Sequence, residues 1–339
     1  MWTRLCALAL FALTVPACTT LEPSPKTFPA GYQTLRITDA NTRPIALDIW
    51  FPAQGAAEAE HNYGISKGSV ATGATIAGDH LPIILLSHGA MGAAVNYSWI
   101  AEALARHGYV VLGVSHFGES PAFGSSTVSP MNVSHFGDRT RDFKAALAYL
   151  LSQPAYASHV DADRIGLLGH SSGGTTVIML AGGKFLPGDM LTYCRTEAAK
   201  GDKSCAYPTT GGGDAKQTPE ALGRPIRALV GLDPALAQGF SKASLADVTA
   251  PTLVIGSEQN DFLHFDAHAG RFMDLLPKAE RVTLNAGEGH FVYVDVCDVP
   301  IQALGVPLCK DRAGVDRTKV HEQLSATIIA FFDGMLRAK

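Results

Sequence analysis

Short, unbroken apolar runs recur along this chain, and stretches with apolar residues at helical spacing stand between them. The runs Leu81–Ser87, Tyr109–Val114, Arg164–Leu168, Ile226–Leu232, Pro251–Ile255 and Arg281–Leu284 are predicted strands. Several lack any polar alternation, as in strands buried on both faces. Asn96–His107 is a predicted helix, with Trp99, Ile100, Ala103 and Leu104 on one face and Gly108 as its stop. Arg139–Leu151 is amphipathic and ends before Pro154, and further helices are predicted over Gly174–Ala181, Phe265–Leu276 and Thr318–Leu336. Upstream, Leu35–Ile37 and Ile45–Phe51 are expected to pair as a hairpin that turns through Asn41–Pro44. Strands that alternate with helices over short connections predict an α/β fold, a mostly parallel sheet with helices on both faces.

Two stretches break this rhythm. Ala53–Asp79, rich in Ala, Gly and Ser, is expected to be a long surface excursion. Lys184–Arg224 has few apolar residues and a Gly211-Gly212-Gly213 run, and is expected to be an insertion above the sheet, a candidate lid rather than a second domain. The short echo of Val114-Ser115-His116-Phe117-Gly118 in Val133-Ser134-His135-Phe136-Gly137 has no repeating surroundings, so it does not indicate a repeat architecture.

The chemistry centres on Gly169-His170-Ser171-Ser172-Gly173. A G-x-S-x-G string after an apolar strand and before a helix is the pattern of a nucleophile elbow, where a sharp turn presents a serine and small neighbours permit close backbone approach. A serine hydroxyl needs a base. His290, in Gly287-Glu288-Gly289-His290-Phe291 just past the last predicted strand, is the candidate. His264, His268 and His321 fall on or near helices and are expected at the surface or in packing. For the acid that orients His290, Asp261 is preferred. Asp233, in Gly231-Leu232-Asp233-Pro234, is the alternative, with a helix-capping role as its competing explanation, and Glu258 is a remote third. The backbone N–H groups of Ser172 and Ala90 are the candidate oxyanion donors. Ala90 lies in Ser87-His88-Gly89-Ala90-Met91-Gly92, where His88 is expected to brace the loop.

Composition narrows the setting. The 339 residues are 47% hydrophobic and 17% charged with net charge −4, which suits one large globular domain and gives no basic footprint for nucleic acid. At the start, Arg4, the apolar run Leu5–Val15 and Val15-Pro16-Ala17-Cys18 form a signal-peptide pattern whose end resembles a lipoprotein cleavage box with Cys18 as the lipidated residue. Residues 1–18 are then the signal, 19–30 a proline-containing tether and 31–339 a single domain with the insertion at 184–224. Cys194, Cys205, Cys297 and Cys309 remain, an even number expected to form disulfides after export; the local pairs Cys194–Cys205 and Cys297–Cys309 are favoured among three possible pairings. No C-x-x-C spacing suggests zinc, and the chemistry calls for no cofactor or metal.

With these residues placed, the chain resembles the platelet-activating-factor acetylhydrolase and dienelactone-hydrolase-like group of α/β-hydrolases, and more loosely the bacterial cutinase-like polyester hydrolases. The resemblance rests on Ile49-Trp50-Phe51-Pro52, Ser87-His88-Gly89, Ala105-Arg106-His107-Gly108-Tyr109-Val110-Val111, Asp161-Ala162-Asp163-Arg164-Ile165-Gly166, Gly169-His170-Ser171-Ser172-Gly173-Gly174, Gly231-Leu232-Asp233-Pro234 and Gly289-His290-Phe291. It implies an α/β-hydrolase fold with an insertion after the nucleophile helix. The acetylhydrolase pattern puts the acid at Asp233 and the cutinase-like pattern at Asp261, so it leaves the acid open. The expectation is an exported, lipid-anchored serine ester hydrolase of the periplasm or cell envelope, acting on small-molecule or lipid esters. The alternatives are a dienelactone hydrolase, thioesterase or peptidase on the same fold, and a non-catalytic envelope lipoprotein.

Overall fold

The computed structural model describes residues 27–55, 57–207, 218–276 and 278–337. The signal, the lipidation site at Cys18 and tether residues 19–26 lie outside the described residues. At the end of the expected tether the chain is already docked. The N–H of Phe28 donates to the carbonyl of Arg106 at 2.9 Å, and the buried Ala30 opens the first strand.

In chain order the strands are β1 (Ala30–Thr38), β2 (Pro44–Pro52), β3 (Ala59–Asn62), β4 (Lys67–Thr72), β5 (Leu81–Ser87), β6 (Val110–His116), β7 (Val160–His170), β8 (Ile226–Leu232), β9 (Thr252–Ser257) and β10 (Ala279–Leu284); a separate two-stranded ribbon, β11 (Gln302–Ala303) and β12 (Val306–Pro307), follows. The helices are α1 (Ser98–Arg106), α2 (Phe136–Ser152), α3 (Pro154–Ala157), α4 (Ser172–Leu180), α5 (Pro187–Tyr193), α6 (Ala269–Leu275) and α7 (Arg317–Leu336). Among the described residues the main sheet runs β10-β9-β8-β7-β5-β6-β2-β1-β4-β3. From β10 to β6 all neighbours are parallel, and the β1–β2 hairpin adds antiparallel to β6. The surface excursion expected over Ala53–Asp79 is instead partly structured. β3 and β4 pair antiparallel, and β4 extends the sheet beside β1 through Gly31 and Tyr32. Those strands are short and mostly polar, which hid them in the hydrophobic pattern.

Every residue of β5 and β6 is buried, because helices cover both faces of the sheet. α1 and α7 pack one face. Ile100, Leu104 and Ala105 meet the side of α7 that carries Leu324, Ile328 and Phe332. α2, α4 and α6 pack the other, through Phe143, Leu147 and Leu150, then Val177 and Ile178, then Phe272 and Met273. Each such side chain contributes about 1.5–3 kcal/mol by leaving water. α1 stops where Gly108 takes φ 81°, a conformation that costs a glycine little, and the chain turns into β6. α7 starts at Asp316, whose carboxylate accepts the N–H of Lys319 at 3.2 Å.

The insertion carries a helix, α5, that its sparse apolar pattern did not announce. Its described residues, 184–207 and 218–224, are tied to the body. Leu186 N–H donates to Gly239 O, Lys203 N–H to Phe262 O at 2.9 Å, and the Cys194–Cys205 disulfide closes its centre. Cys297 and Cys309 form the second disulfide, across the β11–β12 ribbon.

Candidate active site

The parallel strands β5, β7, β8, β9 and β10 end on one edge of the sheet, and each loop that leaves this edge brings a candidate residue. Ser171 follows β7, Asp233 follows β8, Asp261 lies beyond β9, His290 lies beyond β10, and Ala90 lies beyond β5. Carboxyl ends of parallel strands are where open α/β sheets gather their ligands.

Ser171 sits at the tip of the turn between β7 and α4 with φ 55° and ψ −123°, a conformation that non-glycine residues rarely adopt. The surrounding contacts hold it there. Its N–H donates to Leu232 O at 3.0 Å and its carbonyl accepts the N–H of Ala235 at 3.1 Å. The glycines of the motif are required by space. A Cβ on Gly169 would lie 2.3 Å from the Gly173 carbonyl oxygen, and one on Gly173 would lie 2.1 Å from that of Ser87.

His290 begins the 3₁₀ turn His290–Tyr293 and is buried. Its Nε2 lies 3.0 Å from Ser171 Oγ, and its Nδ1 lies 2.5 Å from Asp233 Oδ2. With Nδ1–H donated to the carboxylate, the lone pair on Nε2 faces the serine hydroxyl. The Phe262 ring stacks on the imidazole with centroids 5.0 Å apart and planes 8° apart. Of the two candidate acids, Asp233 contacts the imidazole and Asp261 contacts the His290 backbone. β8 is hydrogen-bonded to β7 with His170 opposite Leu232, so Asp233 leaves the sheet beside Ser171. Asp233 is held by the Ser257 N–H and the Asn260 amide. Asp261 is on a loop one strand further out, where Oδ1 accepts the backbone N–H of His290 at 2.9 Å. Glu258 bonds through its backbone to Leu284 O.

The two N–H groups expected to face an oxyanion flank Ser171. Ser172 is the first residue of α4, so no preceding helical carbonyl takes its N–H. The N–H of Ala90 has no acceptor among the described residues. His88 braces the loop as expected. Nδ1–H donates to the Gly89 carbonyl at 2.7 Å, and Nε2 accepts the N–H of His116. Burial, with Arg139 nearby, pushes its pKa down to about 3, so it is neutral.

The other histidines differ from expectation in part. His321 is buried and stacks on Trp99 at 4.1 Å. His264 donates to the Ala198 carbonyl. His268 is fully buried; its Nδ1 accepts the N–H of Leu236 and its Nε2–H donates to Asp202 Oδ2 at 2.7 Å. Burial of Asp202 works against its charge, but His268, Ser204 and Tyr193 hold its carboxyl well below the usual range. This pair fastens the insertion beside the site, where Ser204 and Tyr207 line the cavity at Ser171.

Several residues of the site were missed in the sequence. His170 Nε2–H donates to the His290 carbonyl at 3.1 Å, and its Nδ1 accepts the hydroxyl of Tyr97 at 2.8 Å; that hydroxyl accepts the N–H of Gly89 at 3.0 Å. A continuous chain therefore joins the β5 loop, the serine turn and the His290 loop. Burial, with His290 adjacent, holds the His170 pKa well below the ordinary value, which suits its neutral role here. Arg139 and Glu119 are both buried beneath the β5 loop. A signal for Arg139 was present, since it shares helical spacing with Phe143, Ala146 and Leu150, all buried.

A narrow cavity of about 30 Å³ opens at Ser171, lined by Ala90, Val133, Tyr207, Leu236, Phe262 and Leu263, with Ser134 and Ser204 as its polar members besides Ser171 and Ser172. A wider, solvent-open hollow of about 580 Å³ lies beyond Leu263, between Tyr193 and Asp266. No group of three or more potential metal ligands occurs among the described residues.

The mostly parallel sheet, the helices on both of its faces and the serine turn after β7 make up an α/β-hydrolase fold. Comparison with known proteins agrees. The family model described as serine aminopeptidase, S33, matches residues 78–185, from the approach to β5 through α4. The chain is 24% identical to cutinase est2 of Thermobifida alba over 212 residues, 61% of this chain and 52% of that protein. It is 32% identical to dipeptidyl-peptidase 5 of Porphyromonas gingivalis over 87 residues, 26% of this chain and 12% of that protein. The chain thus spans about half the length of the cutinases it matches. The structure of a ferulic acid esterase from Streptomyces cinnamoneus superposes with a TM-score of 0.61 at 21% identity, covering 94% of this chain and 93% of the other, and so shares the fold.

Proposed function

We propose that this protein is a serine hydrolase of carboxylic esters, with Ser171 as nucleophile, His290 as base and Asp233 as the acid that orients it. The observation that carries this reading is the line from Asp233 Oδ2 through both ring nitrogens of His290 to Ser171 Oγ, at 2.5 and 3.0 Å. Ser171 Oγ attacks the acyl carbonyl and passes its proton to His290 Nε2. Asp233 stabilises the imidazolium, and the N–H groups of Ala90 and Ser172 receive the oxyanion. His290 returns the proton to the departing alkoxide, leaving an acyl-serine. Water then attacks the acyl-serine, with His290 again as base. An oxyanion donor of this kind is worth about 10²–10³ in kcat. No step needs a cofactor.

The similarity to cutinases and to a ferulic acid esterase supports esters over peptides. Small-molecule or lipid esters are the proposed substrates. The two disulfides support an exported protein, and Val15-Pro16-Ala17-Cys18 supports a lipid anchor in the cell envelope. The direct test is an active-site fluorophosphonate. It should label Ser171 and spare Ser171→Ala; a folded wild-type protein that stays unlabelled would overturn the reading.

A further inference from the structure

Arg139 lies in the first turns of α2, and its guanidinium is buried directly beneath the site. Nε and Nη2 grip the two oxygens of Glu119 at 2.9 and 2.5 Å. The remaining donors go to the elements that carry the two oxyanion N–H groups. Nη1 donates to the carbonyl of His88 at 2.9 Å, and Nη2 donates to the side chain of Ser172 at 3.2 Å. Nη1 also reaches Ser87 Oγ and Thr176 Oγ1, both at 3.4 Å, at the end of β5 and in α4. Glu119 Oε1 in turn accepts the N–H of Met91 at 3.3 Å.

The groups on either side of the Ala90 N–H are therefore engaged. The carbonyl of His88 is held by Arg139, the N–H of Gly89 by Tyr97, the carbonyl of Gly89 by His88, and the N–H of Met91 by Glu119. Met91 itself takes φ 56°, a left-handed turn that this set of bonds maintains. Neither charge is exposed, and burying an ion pair generally gives little or no net stability over apolar residues of the same size. A planar fork with several fixed donors does supply rigid geometry between separate elements.

We infer that the Arg139–Glu119 pair is a positioning device for ester hydrolysis. It fixes the β5 loop and the start of α4 relative to each other, so that the N–H groups of Ala90 and Ser172 converge on one oxyanion. The inference rests on the proposed serine hydrolysis. Arg139 and Glu119 touch no reacting atom and act through the loop they hold. Their contribution falls on the transition state, where the oxyanion exists, and not on the bound ester, whose carbonyl oxygen is a weaker acceptor.

The test is a matched double replacement, Glu119→Leu with Arg139→Met, which removes both charges together and so avoids a lone buried ion. Arg139→Lys, which keeps the charge and loses the fork, is the second variant. For p-nitrophenyl ester turnover the double variant should lose about 10²-fold in kcat, the scale of a roughly 1 Å misplacement, with KM and the pH profile unchanged. Arg139→Lys should recover only part of the loss. Amide hydrogen exchange gives a readout independent of turnover: the N–H of Met91 should exchange much faster in the double variant. A folded double variant with wild-type kcat, or a loss confined to KM, overturns the inference. So does unchanged exchange at Met91, even if the wild-type protein proves inactive, a result that would sink the hydrolase reading separately. If the double variant does not fold, retention of full kcat by Arg139→Lys overturns it, and a kcat loss at constant KM in Arg139→Lys supports it.

Discussion

Asp261 accepts the backbone N–H of His290 at 2.9 Å and leaves the imidazole to another partner. It also fills the space against Gly289, where a Cβ would lie 2.6 Å from its carboxylate, and it stands 3.8 Å from Arg312. Asp261 thus shapes the His290 loop, while Asp233 faces the ring.

That division of labour predicts unequal variants. Asp233→Asn removes the negative charge that fixes the His290 tautomer and stabilises the imidazolium, and should lower kcat by about 10³–10⁴, with the protein still folded. Asp261→Asn keeps an oxygen for the His290 N–H and should change kcat by less than about tenfold. Steady-state kinetics of the pair decides the matter; a larger loss in Asp261→Asn would return the acid role to that residue.

The insertion predicts a difference between the two disulfides. The Cys194–Cys205 loop contains Asp202, which is bonded to His268, and Lys203, which is bonded to Phe262, whose ring stacks on His290. The Cys297–Cys309 loop leaves a segment already fixed by other means. Asp295 accepts from Ser66, Ser98 and Trp99, and Arg317 holds the carbonyls of Val294 and Asp295. Each closed loop of this length should contribute about 2–3 kcal/mol to stability. Cys194→Ser with Cys205→Ser should also lower kcat/KM, whereas Cys297→Ser with Cys309→Ser should leave it near wild type. Kinetics on the two double variants, beside their thermal midpoints, would expose an error here if the C-terminal pair proved the more damaging.

Acid sensitivity follows from the buried neutral histidines. Burial holds His321 down at about 4, with its hydrogen bond to the Val292 carbonyl acting the other way. A histidine whose folded value lies below its unfolded value of about 6.5 stabilises the protein fully above that value, and the contribution is lost as pH falls towards the folded one. For His321 the loss between pH 6.5 and 4 is on the order of 3 kcal/mol. Burial raises Asp295 to about 6 and Asp142 to about 7, and such carboxyls contribute with the opposite sign across the same window. Wild type must therefore be compared with His321→Phe. Relative to that variant, wild type should lose stability steadily from pH 6.5 to 4 in thermal melts, and a constant difference would contradict the account.

Much of the molecule was legible in the sequence because its signals are local. β5 and β8 coincide with the apolar runs that predicted them, and the serine turn follows from strand, small residues and helix in sequence. Two kinds of feature were not. β3, at the edge of the sheet, and β4 beside it are short and carry exposed polar residues, so no hydrophobic period marks them. The choice between Asp233 and Asp261 depends on strand neighbours. Both follow strands that end on the same edge, and only the sheet order puts β8, not β9, against β7. The Tyr97–His170 bond and the Arg139–Glu119 pair join residues distant in the chain, and pairing of that kind leaves little trace in one sequence.

The central claim is ester hydrolysis at Ser171. The most direct measurement is turnover of p-nitrophenyl esters, from acetate to long acyl chains, by protein lacking residues 1–18, beside Ser171→Ala. Turnover by the wild-type chain and near-complete loss in the variant are expected, and the chain-length profile sizes the acyl pocket at Ser171. Equal turnover by folded wild type and Ser171→Ala, or none by wild type at any chain length, would contradict the claim.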